Sequence, residues 1–180
     1  MLHEFVASVK DTVTDTLKGV HTVFPGELVS YDTETGLAVV QPVMKFYSPG
    51  GKSIDYPKIS GVPVVFPQTA GQQATIAYAL HPGDTGMIAI GEEALDYWMY
   101  GQETATKLAF DLTNAIFIPG MWNLANVVMK EACDEDAVIV QKGSSRVKLK
   151  DNSITIYTPG DINITAGGNV TITGTTINLN

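Results

Sequence analysis

Basic residues are scarce in this chain. Eleven Lys and Arg stand against 19 Asp and Glu, a formal net charge of −8. Nucleic-acid affinity comes mostly from cations that neutralise phosphates, so this balance argues against a nucleic-acid partner. It argues equally against docking on an anionic lipid surface. A single cysteine, Cys133, permits no disulfide within the chain and reads as a small spectator thiol. The three histidines are His3, His21 and His81, and none follows residue 81. No run of 18 apolar residues exists, so no membrane-spanning helix is expected. Glu4, Lys10, Asp11 and Asp15 are wrong for a signal peptide. Any membrane contact is therefore expected from outside, by a soluble body.

Catalytic patterns are missing too. Glu92, Glu93 and Asp96 lie close together, but like charges in one loop read as solvated, not as a carboxylate pair for glycoside cleavage. His81 precedes Pro82-Gly83-Asp84 and reads as the neighbour of a turn, not as a base. Gly51-Lys52-Ser53 matches the end of a phosphate loop, yet Phe46 stands where that motif needs its first glycine, and no helix follows. Asn163 and Asn169 head matches to glycosylation acceptors, but Asn and Thr abound there for turn and strand reasons. No enzyme activity, cofactor or metal site is expected.

What is present argues for a packed core. The apolar fraction is 44%, with seven Tyr, six Phe and two Trp, in a length of 180 residues that suits one domain or one plus an appendage. Residues 2–20 read as one helix. Leu2, Val6, Val9, Val13 and Val20 alternate in steps of four and three, with Thr16 at the missing position and Leu17 beside it. Such a stripe packs either on its own domain or in a seam between identical chains.

From His21 the period changes to that of strands. Five or six of them, punctuated by Pro-Gly and Gly-Asp pairs, fill residues 21–122 and suggest a small barrel. Residues 92–109 leave room for a short helix outside it. Trp98, Met99 and Tyr100 read as barrel core, with a surface patch as the alternative. Residues 123–136 read as a connector, with Asp134-Glu135-Asp136 as a solvated acidic turn.

Residues 137–180 differ in texture. Aromatics vanish there except Tyr157, and Thr, Asn, Gly and branched aliphatics take over. Apolar pairs recur: Val138 and Val140, Val147 and Leu149, Ile154 and Ile156, Ile162 and Ile164, Val170 and Ile172, Ile177 and Leu179. First members are spaced 9, 7, 8, 8 and 7, an imperfect octad repeat. Each unit is a short strand with one apolar face, followed by a turn such as Asp151-Asn152, Pro159-Gly160 or Gly167-Gly168. Three architectures cover those faces. A single-chain β-helix would have only two turns and little interior. A flat sheet laid on the barrel would leave open edges. Three copies wound round one axis cover every face by symmetry, without further sequence. On that arrangement Val147, Leu149, Ile154, Ile156, Ile162, Ile164, Val170, Ile172, Ile177 and Leu179 form a trimer core, and six layers rise roughly 25–30 Å.

At this point the chain resembles a known family. The segments HTVFPGELVSYD (21–32), VVQPV (39–43), GVPVVFP (61–67), HPGDTGMIAIGEEALDYW (81–98) and DLTNAIFIPGMW (111–122), followed by octads, are similar to the membrane-puncturing central spikes of contractile phage tails. The resemblance implies a mainly β protein: an N-terminal helix (1–20), an OB-fold barrel used as a collar (21–122), the connector, and an octad-repeat β-helix of three interwoven chains (137–180). It implies a non-enzymatic homotrimer in the virion, on the axis of the tail baseplate. The barrels and N-terminal helix would bind the hub, and contact with the bacterial envelope would be transient. Many such spikes end in a His-x-His apex that binds iron. The histidines here all precede residue 82, so no metal site carries over and a separate tip protein is expected. Two rival readings are an OB-fold binder of single-stranded nucleic acid or oligosaccharide, and a trimeric adaptor or receptor-binding fibre without puncture. Residues 21–130 hold 10 acids against 5 bases, which weighs against nucleic acid.

Overall fold

The structure is a computed structural model that describes residues 2–48, 50–103 and 108–178. The elements are α1 (Leu2–Lys18), β1 (Val23–Asp32), β2 (Leu37–Pro42), β3 (Lys45–Tyr47), β4 (Ser53–Asp55), β5 (Ile59–Pro63), β6 (Gln68–Thr69), β7 (Ala74–Thr75), β8 (Thr85–Ile90), α2 (Asp96–Tyr100), a 3-10 turn (Leu112–Asn114), β9 (Ala115–Pro119), α3 (Val127–Glu135), β10 (Val138–Lys142), β11 (Ser145–Lys150) and β12 (Ser153–Tyr157). The chain divides into two units, meeting between Asn123 and Leu124.

In the first unit, alternation builds the sheet. Strands point successive side chains to opposite faces, and the inward residues alternate along β1, β2, β8 and β9, while in β5 Ile59 and Val62 are three apart across Gly61 at φ +73°. Phe24 and Leu28 of β1, Ala38 and Val40 of β2, Ile59 and Val62 of β5, Ile88 of β8, and Ala115 and Phe117 of β9 form the core. The five strands run in the order β5-β2-β1-β8-β9, all antiparallel. A register shift between Leu28 and Ser30 places a bulge in β1, which adds twist. The sheet curls into a half-barrel whose two edges approach each other. Val64, just beyond β5, bridges Phe117 in parallel, and the Val65 N–H donates to the Phe117 carbonyl at 2.9 Å.

Two glycines let the sheet close on that core. Gly26 and Gly86 face each other across β1 and β8. A Cβ on Gly86 would overlap the Ile118 carbonyl and the Phe117 ring, and one on Gly26 would overlap the Ile88 side chain. The bare backbone is what makes room for Phe117, which is fully buried.

The mainly β fold with an N-terminal helix is as expected. The structure bears on two of the alternatives left open in the sequence. The described side chains of α1 lie exposed, so its stripe, including Val6, Val9 and Val13, is not packed on its own unit. Trp98 and Tyr100 are 75% and 56% exposed, so the aromatic group is surface and not barrel core. The reason is local: α2 is a single short turn of helix ended by Gly101 in the left-handed region, and none of its residues is buried. Among the described residues no helix is long and apolar enough to cross a membrane.

The core makes a direct prediction. Phe117→Ala should lower the unfolding free energy by about 3–5 kcal/mol. Gly86→Ala should cost about 1–3 kcal/mol by overpacking. Urea unfolding followed by circular dichroism reads both, and an unchanged midpoint for either variant would place Phe117 outside the core.

Candidate assembly surface

The second unit is built on two tight turns. Gly143-Ser144 joins β10 to β11, with Gly143 at φ +57°, and Asp151-Asn152 joins β11 to β12. Two-residue loops of this composition favour antiparallel hairpins. The registers put the octad pairs in rows across the strands. Val138, Leu149 and Ile154 form one row, and Val140, Val147 and Ile156 form the next. Six apolar side chains therefore share one face of a three-stranded sheet. Most of it is bare: Val140 and Ile154 are 65% and 67% exposed, while Val147 is half-buried and Leu149 lines a cavity with Val128, Met129 and Cys133 of α3.

The other face carries charge. Arg146, Lys148 and Lys150 alternate with Val147 and Leu149 along β11 and point the opposite way. They meet two glutamates of α3. Glu131 accepts from Arg146 Nη1 at 2.8 and 2.9 Å and pairs with Lys148. Glu135 accepts from Lys148 Nζ at 3.0 and 3.1 Å and pairs with Lys150 Nζ at 2.6 Å. The spacing explains the fit. Four residues of helix rise about 6 Å, and two residues of strand rise about 6.6 Å. Each glutamate thus sits between two successive cations. Lys148, shared by both, is only 13% exposed.

The ladder sets the protonation of its members. Hydrogen bonds from Lys150 and then Lys148 hold the Glu135 carboxyl down to about 2. The Lys148 hydrogen bond lowers Glu131 below the ordinary carboxylate range, and that same bond raises Lys148. Capping fixes the helix that carries the acids. The Asn126 side chain accepts from the Val128 and Met129 N–H groups at 2.8 and 3.2 Å. At the other end Asp136 adopts the left-handed region at φ +47° and its N–H donates to the Ala132 carbonyl.

Several expectations change here. The stretch read as a connector holds α3. Its acidic run is not only a solvated turn, because Asp134 pairs with Lys130, Glu135 joins the ladder and Asp136 ends the helix. The sequence signal for the ladder was legible and went unread: Glu131 and Glu135 four apart, and three cations two apart. The predicted core residues divide. Val147, Leu149, Ile154 and Ile156 come together on the bare face. Ile162, Ile164, Val170, Ile172 and Ile177 are exposed, in a segment after Tyr157 that forms no strand among its described residues. Leu179 lies outside the described residues. One chain by itself does not show the expected three-chain β-helix: three octads pair within the chain, and the described residues after Tyr157 form no strand. Turn chemistry separates them, since the two-residue loops end at Asn152 and the next turn begins with Pro159, which has no N–H to give a ladder.

Residues 24–120 match the model of the phage protein Gp138 N-terminal domain, more than half of the chain. The chain belongs to that family. No curated protein matches it significantly. In this Gp138-family protein the matched region lies wholly in the first unit, and the apolar face and charge ladder lie beyond it. Family membership makes it a phage structural protein and points to the virion.

The ladder predicts a pH response. Both glutamates have folded values below the ordinary 4.5, so their stabilisation is complete above about pH 4.5 and is lost as pH falls towards 2. Amide-exchange protection of α3 should fall over that window. The double variant Glu131→Gln, Glu135→Gln should start with lower protection at pH 6 and lose most of this pH dependence. An identical acid profile in the variant would remove the ladder as its cause.

Proposed function

We propose that this phage protein is the central spike of a contractile tail baseplate, a non-enzymatic homotrimer that pierces the bacterial outer envelope when the sheath contracts. The observation that carries the reading is the largely bare apolar face of β10, β11 and β12, followed in sequence by residues with the same alternation of Ile and Val. One face of the sheet is already occupied by α3. The other offers six apolar side chains per chain, each gaining about 1.5–3 kcal/mol on full burial. Two further copies supply that cover, and they give the segment 158–178 strands to pair with.

The strand order supports a collar. Taking β1, β2, β5, β8 and β9 as strands 1 to 5, the sheet reads 3-2-1-4-5, with strands 3 and 5 approaching in parallel. That is the connectivity of a five-stranded OB barrel. Such barrels, with the exposed stripe of α1, form the end that joins the hub on this reading, and the second unit points towards the envelope and a separate tip protein. Piercing needs no chemistry. It needs a narrow body that unfolds slowly under load, and strands shared among three chains resist peeling because none leaves without breaking pairs to its neighbours.

Two measurements test this. The full chain should have the mass of a trimer by sedimentation or native mass spectrometry. Ile164→Asp sets three carboxylates close to one axis and should yield monomers with the first unit still folded. A monomeric wild type with the same β content, or a trimer indifferent to Ile164→Asp, would defeat the interwoven reading. Antibody labelling of particles should find the chain at the distal end of the tail axis.

A further inference from the structure

The first unit has a sheet that is apolar on both sides. Between the core residues, the strands β1, β8 and β9 carry side chains that point the other way. The registers set them in two rows. Val23, Ala89 and Ile116 form one, and Pro25, Met87 and Ile118 form the next. Val23 and Met87 are exposed, and the other four are half-buried. An antiparallel sheet with one face in water normally alternates apolar with polar. Here six apolar side chains lie side by side on the outer face, and a contiguous patch of that kind marks a contact surface.

The same unit holds a second bare surface, the stripe of α1. Val6, Val9 and Val13 are exposed along it, and Thr16 continues it with its hydroxyl already donating to the Thr12 carbonyl at 2.9 Å. That bond lets the stripe be buried without an unmet polar group. The helix is held off its own sheet by a linker with no slack. The Gly19 and Val20 N–H groups donate to the Thr16 and Leu17 carbonyls at 3.2 and 3.1 Å. The His21 ring lies edge-on to Phe24 and Tyr56, and the Thr22 carbonyl accepts from the Ile90 N–H at 2.7 Å. Each residue between α1 and β1 is fixed in this way.

We propose that the α1 stripe of one copy covers the outer face of β1, β8 and β9 of the next. Charge agrees with the docking. Lys10 flanks the stripe on the helix, and Glu27 stands exposed on β1 just past the Pro25–Met87 row. Glu4 and Asp11 fall on the side of the helix away from the stripe. Helix on sheet is a heterologous contact, in which one patch meets a different one, and it closes into a ring when the rotation between copies allows. The stripe is small. A helix of 17 residues is about 26 Å long and about 10 Å wide, so one face of it falls well short of the about 800 Å² per partner of a stable complex. The contact therefore rests on the trimer reading and forms in chains already joined by their second units. On that reading α1 stays at the hub end, with its stripe turned to the neighbouring barrel and its charged side outward.

Cross-linking of the full-length chain tests this. Cys133 is the only cysteine, so Cys133→Ser gives a thiol-free background. In it, Val9→Cys with Met87→Cys puts one thiol at the centre of the stripe and one at the centre of the patch. A short bis-maleimide should then join copies into covalent dimers and trimers on a denaturing gel. Asp11→Cys with Met87→Cys, whose first thiol lies on the opposite side of the helix, should stay uncoupled. Met87→Asp, which leaves the core untouched, should speed amide exchange of α1 about tenfold in the trimer. Sedimentation separates the two ways of failing. The contact would be overturned, with the spike reading intact, by a trimer in which positions 9 and 87 couple no better than 11 and 87, couple only within one chain, or in which α1 exchange ignores Met87→Asp. A monomer would overturn both.

Discussion

A strand with one apolar face must have that face covered, and most of this structure follows from how each unit meets that demand. The first unit meets it alone. Five strands are enough to curl, so Leu28, Val40, Val62, Ile88 and Phe117 end up facing one another inside a half-barrel. Curling needs close approach of backbones, which is why Gly26 and Gly86 sit opposite each other. The second unit has only three strands in its sheet. Three strands are too few to close on themselves, and the helix available to it is spent on the wrong face.

That choice of face is electrostatic. The α3 helix carries Glu131 and Glu135 at a rise that matches the alternating cations of β11. Ion pairs near a surface contribute little singly, but here, around a largely covered Lys148, they select between two sides of one sheet. With Arg146, Lys148 and Lys150 engaged, the side bearing Val138, Val140 and Ile156 is the one left exposed. The ladder thus does more for orientation than for stability. It keeps the helix off the apolar face and leaves that face open.

Legibility in the sequence followed the same physics. Period-2 alternation made the barrel strands readable, because burial on one face imposes it directly. The octad pairs were readable for that reason, and their rows across β10–β12 appear in the register the spacing implies. The α3 helix was hidden because its sequence, VVMKEACDE, is short and lacks a clean apolar stripe. What holds it is charge complementarity with a strand ten or more residues away, and single-segment periodicity does not register that. The position of Trp98 was misread as core because aromatic residues are usually buried, whereas here a five-residue helix has no inner face to hide them. The segment after Tyr157 carries the strand pattern without forming strands among its described residues, because a ladder needs a second backbone and this stretch of chain does not supply one.

The split between paired and unpaired octads bears on how an interwoven spike could assemble. Hairpins with two-residue turns form from neighbouring segments, with little loop entropy to overcome. The β10–β12 meander is therefore available to a single chain, with α3 clamping one side. The segment 158–178 has no such local route. If three chains interlock there, pairing waits until three apolar faces have met, and the preformed meanders are what bring them together in register. On this view the two-residue turns and the charge ladder precede the trimer in time, and the Ile and Val of residues 158–178 hold it afterwards.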